Sequence, residues 1–108
     1  MKGEIWLVDL PSSNGYEQHG LRPVILLFES KANINIIIPF TSNFQSLRFP
    51  FTIEVKPSME NGLESISIAL VFQIRAIDKK RLIKKIGLLE ENHLNEIDTF
   101  LKKILKLN

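Results

Sequence analysis

Cysteine is absent from this chain of 108 residues, and so is any apolar run long enough to cross a membrane. Without cysteine the protein can form neither a disulfide framework nor a thiolate metal site, which fits a reducing compartment. Its apolar runs stay below the roughly 18 residues of a transmembrane helix, and residues 1–5 lack the apolar region of a signal peptide. We therefore expect a cytoplasmic protein that does not act at a membrane.

Neither positive nor negative residues predominate strongly, because the formal net charge is only +2 at pH 7. Such a balance permits nucleic-acid binding without requiring it. One basic cluster stands out in the second half of the chain: Lys79, Lys80, Arg81, Lys84 and Lys85. Its simplest interpretation is the solvated face of a helix or strand. The length and the composition, 44% hydrophobic and 24% charged, indicate one globular domain covering residues 1–108.

The motifs of metal-dependent and cofactor-dependent enzymes are missing as well. The two histidines, His19 and His93, belong to no recognised zinc-ligand spacing. A serine-nucleophile elbow, a P-loop and a dinucleotide-binding fingerprint are absent too. We therefore expect a protein that uses no metal and no cofactor.

Several short segments have the pattern of β-strands bounded by turn residues. They are residues 4–10, 24–28, 34–38, 51–56 and 65–74. The second is continuously apolar, as in a buried strand, and the fourth alternates between apolar and polar residues. Such spacing without long intervening helices predicts a mainly β fold, namely a small antiparallel barrel or curled sheet.

The final segment of the chain changes to a helical period. Its apolar side chains recur on one helical face: Leu94, Ile97, Leu101, Ile104 and Leu105. Asn92 stands where it could cap the N-terminus of such a helix. We therefore expect a C-terminal amphipathic helix whose apolar stripe covers the sheet.

Polar groups are concentrated between the first two predicted strands, in residues 16–23. This turn-prone stretch contains a carboxylate, an amide, an imidazole and a guanidinium: Glu17, Gln18, His19 and Arg22. Pro23 biases Arg22 toward an extended backbone where the next strand starts. A guanidinium held in this way is suited to binding a phosphate.

Cleavage of RNA without a metal needs few protein groups, because RNA supplies its own 2′-hydroxyl nucleophile. The protein must provide a cation for the pentacovalent phosphorane, a hydrogen-bonding hydroxyl and a group for proton transfer. Arg22, Thr41 and Glu17 are candidates for these roles. Thr41 follows Pro39 and Phe40 at the end of the third strand. From the residues alone, an ordinary strand-end role for Thr41 is favoured.

Four stretches in the same order along the chain resemble the MazF/PemK (Kid) family of toxins. The first joins residues 3–10 to the pattern Glu17-Gln18-x-Gly20-x-Arg22-Pro23-Val24. The others are residues 38–42, with Pro39-Phe40-Thr41-Ser42, residues 67–78 around Gln73, and residues 79–88. Because the stretches span nearly the whole chain in register, the resemblance is specific.

The resemblance implies an SH3-like antiparallel barrel with a C-terminal helix, of the CcdB/MazF type, that forms homodimers. It also implies the toxin of a type II toxin–antitoxin system, a sequence-specific and ribosome-independent endoribonuclease. Cleavage of single-stranded RNA would use 2′-hydroxyl attack without a metal and leave a 2′,3′-cyclic phosphate and a 5′-hydroxyl. The expected partners are single-stranded RNA and an antitoxin protein, and Arg22 and Thr41 match the catalytic arginine and threonine of the family.

We assign Arg22 to the phosphate rather than to proton abstraction, because a guanidinium hardly ever deprotonates in a protein. Glu17 is the candidate base and His19 the second choice, and Thr41 would hydrogen-bond the same phosphate. The candidates for RNA binding are Tyr16, Gln18, His19, Ser42, Gln73 and Arg75. Gln18 is expected above all to brace its loop. The bases would be read by residues 12–20 and 43–49.

Two positions depart from the family pattern. Phe72 replaces the acidic residue that many relatives carry before the strand glutamine, and Tyr16 replaces the histidine of the Kid branch. Either aromatic ring could stack on an RNA base, or Phe72 could belong to the core. Two other functions therefore stay open: a protein-binding toxin such as the gyrase inhibitor CcdB, and a catalytically silent relative that binds RNA or antitoxin.

Overall fold

The apolar segments of the sequence form the strands of an antiparallel sheet, which a computed structural model describes for residues 1–11 and 15–107. These residues form seven strands and one α-helix, in chain order: β1 (Glu4–Leu10), β2 (Gly20–Glu29), β3 (Ile34–Thr41), β4 (Thr52–Val55), β5 (Ser67–Leu70), β6 (Arg75–Asp78), β7 (Leu82–Leu88) and α1 (Glu91–Ile104). The described residues also include three 3₁₀ turns, which are Phe44–Arg48, Val71–Gln73 and Lys79–Arg81.

The strand order is β4-β5-β3-β2-β1-β7, and β6 pairs with β3 on the edge opposite β2. All pairings are antiparallel, and the two longest strands, β2 and β3, lie near the centre. In the part of the chain that the structure describes, the hydrogen-bonded path runs from β4 to β7 without closing. The prediction of a mainly β fold with a C-terminal helix is confirmed, and the sheet is curled rather than closed.

The sheet is buried on both faces, which explains the continuous apolar run in β2. Ile25 and Ile38 join a core cluster that also receives Ile97 from α1. Val24 and Ile37, the chain neighbours of those two strand residues, point to a second cluster on the opposite face. Because successive side chains of a strand alternate between faces, burial on both sides requires apolar residues at every position.

The C-terminal helix covers the first core cluster, as its apolar stripe predicts. Ile97 is fully buried, and Leu94, Leu101 and Ile104 pack against the same cluster. Leu105 is an exception, because the helix ends at Ile104 and this side chain is 56% exposed.

The predicted cap of the helix, Asn92, is wrong. Helix α1 begins at Glu91, and Glu90 occupies the N-cap position. The Glu90 carboxylate accepts hydrogen bonds from Ser58 Oγ at 2.7 Å and Asn61 Nδ2 at 3.2 Å. These tertiary contacts hold the residue before the helix in an extended conformation, so the helix starts two residues earlier than its sequence indicates.

The predicted strand over residues 65–74 is also wrong in its length. Strand β5 ends at Leu70, the turn Val71–Gln73 follows, and β6 starts at Arg75. Strand β5 pairs with β3 at Phe40 and Thr41, whereas β6 pairs with the other end of β3, from Ile34 to Ile37. The turn is needed because the chain moves between these two pairings, and it places Phe72 at the surface rather than in the core.

Candidate active site

Arg22 and Thr41 lie on the two neighbouring central strands. Val24 pairs with Pro39 in the antiparallel register of β2 and β3. The β2–β3 pairing ends at these two residues, and Arg22 and Thr41 stand two residues beyond them on the two strands. Both side chains line one groove, so the paired strands bring them to the same place. We call this pair the Arg22–Thr41 site.

The Arg22 guanidinium is held by three hydrogen bonds. Its Nε donates to the His19 carbonyl oxygen at 3.0 Å, and one terminal nitrogen donates to the Phe40 carbonyl oxygen at 3.0 Å. The same terminal nitrogen donates to Gln18 Oε1. The bond to Phe40 fixes the cation beside the peptide that leads into Thr41. The rigid, planar fork of donors is thereby oriented before any substrate arrives.

The electrostatic state of Arg22 follows from its partial burial. Burial lowers the pKa of the Arg22 guanidinium because the charged form loses hydration. An arginine nevertheless stays protonated at neutral pH, since its intrinsic pKa lies far above neutrality. The site therefore contains a permanent, partly desolvated cation, which attracts an anion more strongly than a fully hydrated one would.

The loop before β2 is tied to the turn and strand that follow β5. The Gln18 N–H donates to Gln73 Oε1 at 3.0 Å, and Gln73 Nε2 donates to the Tyr16 carbonyl oxygen at 3.4 Å. Arg75 donates to the Gln18 carbonyl oxygen at 2.9 Å. The side chains of Gln73 and Arg75 thus hold the backbone of this loop at Gln18, while the Gln18 side chain bonds Arg22.

Thr41 is buried, and its Oγ1 accepts a hydrogen bond from the Asn43 N–H at 3.3 Å. A groove of about 590 Å³ is lined by Arg22 and Thr41 together with the exposed Ser42. Lys84 lines the same groove from β7. The basic cluster predicted as a solvated face therefore contributes one cation to this groove.

Glu17 and His19 are both exposed. A Cβ added at Gly15 would lie 2.7 Å from Glu17 Oε2, so the Glu17 carboxylate packs against the backbone of Gly15. His19 contributes its carbonyl oxygen to Arg22. Of the loop expected to read bases, residues 12–14 lie outside the described residues.

A second cavity, of about 560 Å³, lies on the other side of Gln18. Gln18 and Gln73 line it together with Tyr16 and Phe72. The remaining lining residues come from the ends of β3 and β5 and from the first 3₁₀ turn: Asn43, Ser46, Arg48, Phe49 and Leu70. The region 43–49 was expected to read bases, but nothing in the sequence singles out Arg48 or Phe49, because their approach to Phe72 depends on how distant segments fold.

Among the residues that the structure describes, no helix is long and apolar enough to cross a membrane. In residues 1–11 and 15–107, no three histidine, aspartate or glutamate side chains are grouped so that they could hold a metal ion.

Comparison with known proteins yields one family and several related folds. The model of the family "PemK-like, MazF-like toxin of type II toxin-antitoxin system" matches residues 1–105. The protein named Endoribonuclease MazF from Staphylococcus epidermidis is 32% identical over 111 residues, which cover 99% of this chain and 92% of that protein.

Solved structures agree on the fold. MazF (Form-I) from Deinococcus radiodurans superposes with a TM-score of 0.79 at 21% identity, covering 97% of this chain and 94% of that one. An endoribonuclease from a mycobacterial species, in complex with its cognate antitoxin, superposes with a TM-score of 0.72 at 19% identity, covering 100% and 94%. At these identities the structural likeness establishes the architecture of the chain.

Proposed function

The chain belongs to the PemK-like, MazF-like toxins of type II toxin–antitoxin systems and is an endoribonuclease toxin, and we propose that Arg22 and Thr41 are its catalytic residues. The observation that carries this assignment is the bond from the Arg22 guanidinium to the Phe40 carbonyl oxygen, directly before Thr41. It supports a preformed anion site between two paired strands, beside an open groove.

The proposed reaction is the metal-independent cleavage of single-stranded RNA. The 2′-hydroxyl oxygen attacks the adjacent phosphorus, the bond from phosphorus to the 5′-oxygen breaks, and a 2′,3′-cyclic phosphate and a 5′-hydroxyl result. Arg22 would stabilise the added negative charge of the phosphorane, and the Thr41 hydroxyl would donate a hydrogen bond to the same phosphate. Stabilising charge that develops in the transition state is commonly the largest contribution to catalysis.

Proton transfer is assigned to Glu17, with His19 as the second choice. The base removes the proton of the 2′-hydroxyl, and the leaving 5′-oxygen takes up a proton from a water molecule. Both side chains belong to the exposed loop next to Arg22. In this proposal RNA entering the groove draws the loop toward the phosphate, since catalytic hydrogen bonds commonly tighten only in the substrate complex.

The partners we propose are single-stranded RNA, a cognate antitoxin and a second copy of the chain, and the proposed compartment is the cytoplasm. A mycobacterial relative of the same fold was solved with its cognate antitoxin, and a Deinococcus radiodurans relative was solved as a MazE–MazF complex. Leu21, an apolar residue that is 64% exposed at the groove, supports a protein contact there.

Cleavage of a long single-stranded RNA in EDTA tests the proposed reaction. The wild-type protein should cut at defined sites and leave 5′-hydroxyl ends, which a polynucleotide kinase labels without phosphatase treatment. Arg22→Ala should slow cleavage about 100- to 1000-fold, as expected for losing a transition-state donor. Thr41→Ala should slow it about 10- to 100-fold, as expected for a hydrogen bond to a charged group.

Matched controls use an arginine and a threonine outside the groove, Arg81→Ala and Thr99→Ala, which should retain wild-type cutting. Cleavage that survives Arg22→Ala unchanged would refute the assigned mechanism. A folded wild-type protein that cuts no RNA would favour the silent or protein-binding alternatives.

A further inference from the structure

Three aromatic side chains are exposed around the second cavity. Phe49 and Phe72 are 44% and 40% exposed, and Tyr16 is 98% exposed. The rings of Phe49 and Phe72 pack against each other with centroids 5.9 Å apart at a tilt of 58°. We call the cavity lined by these three residues, with Arg48, Gln18 and Gln73, the aromatic pocket. Clustered exposed apolar surface of this kind commonly marks a binding site.

The aromatic pocket is joined to the Arg22–Thr41 site along two edges. On one edge Gln18 lines the pocket, while its Oε1 accepts a hydrogen bond from Arg22. On the other edge Asn43 lines the pocket, while its N–H donates to Thr41 Oγ1 at 3.3 Å. A phosphate bound by Arg22 is therefore one side chain away from the pocket, so a flanking nucleotide can reach it.

The polar groups of the pocket suit a nucleotide. Its lining offers side-chain amides from Gln18 and Gln73, which can pair with the edge of a base. The Arg48 guanidinium carbon lies 4.9 Å from the centre of the Phe49 ring, so a cation stands at the aromatic wall. Among the described residues that line the pocket, none is a carboxylate. The volume of about 560 Å³ lies within the range of small-molecule sites.

We propose that the aromatic pocket binds one unpaired nucleobase of the RNA, next to the scissile phosphate, by stacking it on Phe72, whose ring packs against the tilted ring of Phe49. Arg48 contacts the phosphate beyond that base, and the amides of Gln18 and Gln73 select among bases. This inference rests on the proposed function and adds specificity-determining residues to it. Phe72, which departs from the family pattern, is thereby given a role in choosing the cleavage site.

RNA is favoured over a protein ligand by the charge and the position of the pocket. Arg48 complements a phosphate, and every base has a π-face that can stack on Phe72. The pocket is also continuous with the cation at Arg22. A protein segment would gain from the apolar rings but would not need both the cation and this continuity.

The test is an abasic scan with a fluorescein-labelled oligonucleotide that carries the mapped cleavage site. A 2′-deoxy nucleotide at that site removes the nucleophile, so fluorescence anisotropy measures binding alone. One flanking nucleotide should weaken binding to the wild-type protein about 5- to 150-fold when it is made abasic, the range found for base–aromatic stacking. With Phe72→Ala the same abasic position should have an effect below about twofold, because the two changes remove one interaction.

Variants separate stacking from packing. Phe72→Tyr keeps an aromatic face and should retain the abasic effect. Phe72→Leu keeps apolar volume against Phe49 and should lose the effect with little change in thermal melting. Phe28→Ala removes another phenylalanine, 56% exposed at the far end of β2 and outside the pocket, and should match the wild type.

The outcomes distinguish this inference from the proposed function. Equal abasic effects in the wild type and in Phe72→Ala at every position would overturn the base pocket. If Arg22→Ala still slowed cleavage about 100- to 1000-fold, the assignment of Arg22 to catalysis would stand although the base pocket was overturned. A wild-type protein that neither cuts nor binds RNA would refute both.

Discussion

The Arg22–Thr41 site and the aromatic pocket are adjacent but are built in different ways. Arg22 and Thr41 lie on the paired strands β2 and β3 and line one groove. The aromatic pocket is assembled from the loop that carries Tyr16 and from two 3₁₀ turns. The first turn contains Arg48, the residue before Phe49, and the second contains Phe72. The Arg22–Thr41 site is held by the backbone hydrogen bonds of the sheet. The aromatic pocket is held by side chains that meet at the end of the sheet.

This difference matches two demands on an RNA-cleaving toxin. Charge stabilisation at the phosphate requires groups placed to within a fraction of an ångström, which paired strands provide. Selection among bases tolerates variation, because loops and turns can change sequence without disturbing the sheet. The comparison predicts that changes at the Arg22–Thr41 site act on the chemical step and that changes at the pocket act on binding and on the choice of sequence.

The largest effect expected within this comparison comes from Arg22→Lys. Lysine keeps the charge but lacks the planar fork that reaches the carbonyl oxygens of His19 and Phe40 together. The single-turnover cleavage rate at saturating RNA should fall about 100-fold or more. Arg81→Lys is the matched control, because Arg81 does not line the groove, and it should cut RNA at the wild-type rate. A wild-type rate for Arg22→Lys would mean that charge alone suffices.

An intermediate effect is expected from Arg48→Gln, which tests the pocket rather than the chemistry. Each phosphate neutralised on a single strand adds about 0.7 to the slope of log affinity against log salt concentration. Removing Arg48 should lower that slope by about this amount and leave the single-turnover rate at saturating RNA unchanged. Lys31→Gln, an exposed cation in the turn between β2 and β3, is the control. An unchanged slope would remove Arg48 from the RNA path.

The smallest expected effect concerns the stability of the fold that carries both sites. It should appear in the pH dependence of the free energy of unfolding. A hydrogen bond from Trp6 Nε1 and the contact with Lys85 lower the pKa of Glu4 below its ordinary value of 4.5. Burial raises the pKa of Glu90, but hydrogen bonds from Ser58, the backbone and Asn61 outweigh it and leave that pKa lowered as well.

The sign of the effect follows from these lowered values. A carboxyl whose pKa is lower in the folded state stabilises the fold fully above the unfolded pKa. That stabilisation is lost as the pH falls below 4.5 and through the folded pKa of Glu4 and Glu90. Urea unfolding between pH 7 and pH 3 should therefore show a loss of stability on the acid side, and Glu4→Gln and Glu90→Gln should each make the profile less steep. An equally steep profile in both variants would contradict this account.

Much of the fold could be predicted because its signals are local. The continuous apolar run of β2 indicates burial on both faces, and Val24 and Ile25 do lie in opposite core clusters. The helical period places Ile97 and Leu101 on one face, and that face packs on the sheet. The bounds of elements were predicted less well where tertiary contacts decide them, as with Glu90 at the start of α1.

The residues of the candidate site show the same difference between features that local sequence signals predict and features that tertiary contacts decide. Arg22 and Thr41 stand out by residue type and by their positions at strand ends, and their common location follows from pairing neighbouring strands. Gln73 contacts the loop before β2 from 55 positions away, and Phe49 contacts Phe72 across separate turns. No sequence pattern predicts such contacts, because they depend on the path of the backbone between the residues.

By itself the sequence determined the mainly β architecture, the amphipathic helix, the family resemblance and the two residues proposed for catalysis. All of these depend on local periodicity or on short motifs, which can be recognised directly in the order of the residues. Only the tertiary structure decided that Gln18 links Arg22 to a second cavity and that Phe72 lies at the surface beside Phe49. The physical reason is that β5 must end at Leu70 so that the chain can pair again with the other end of β3.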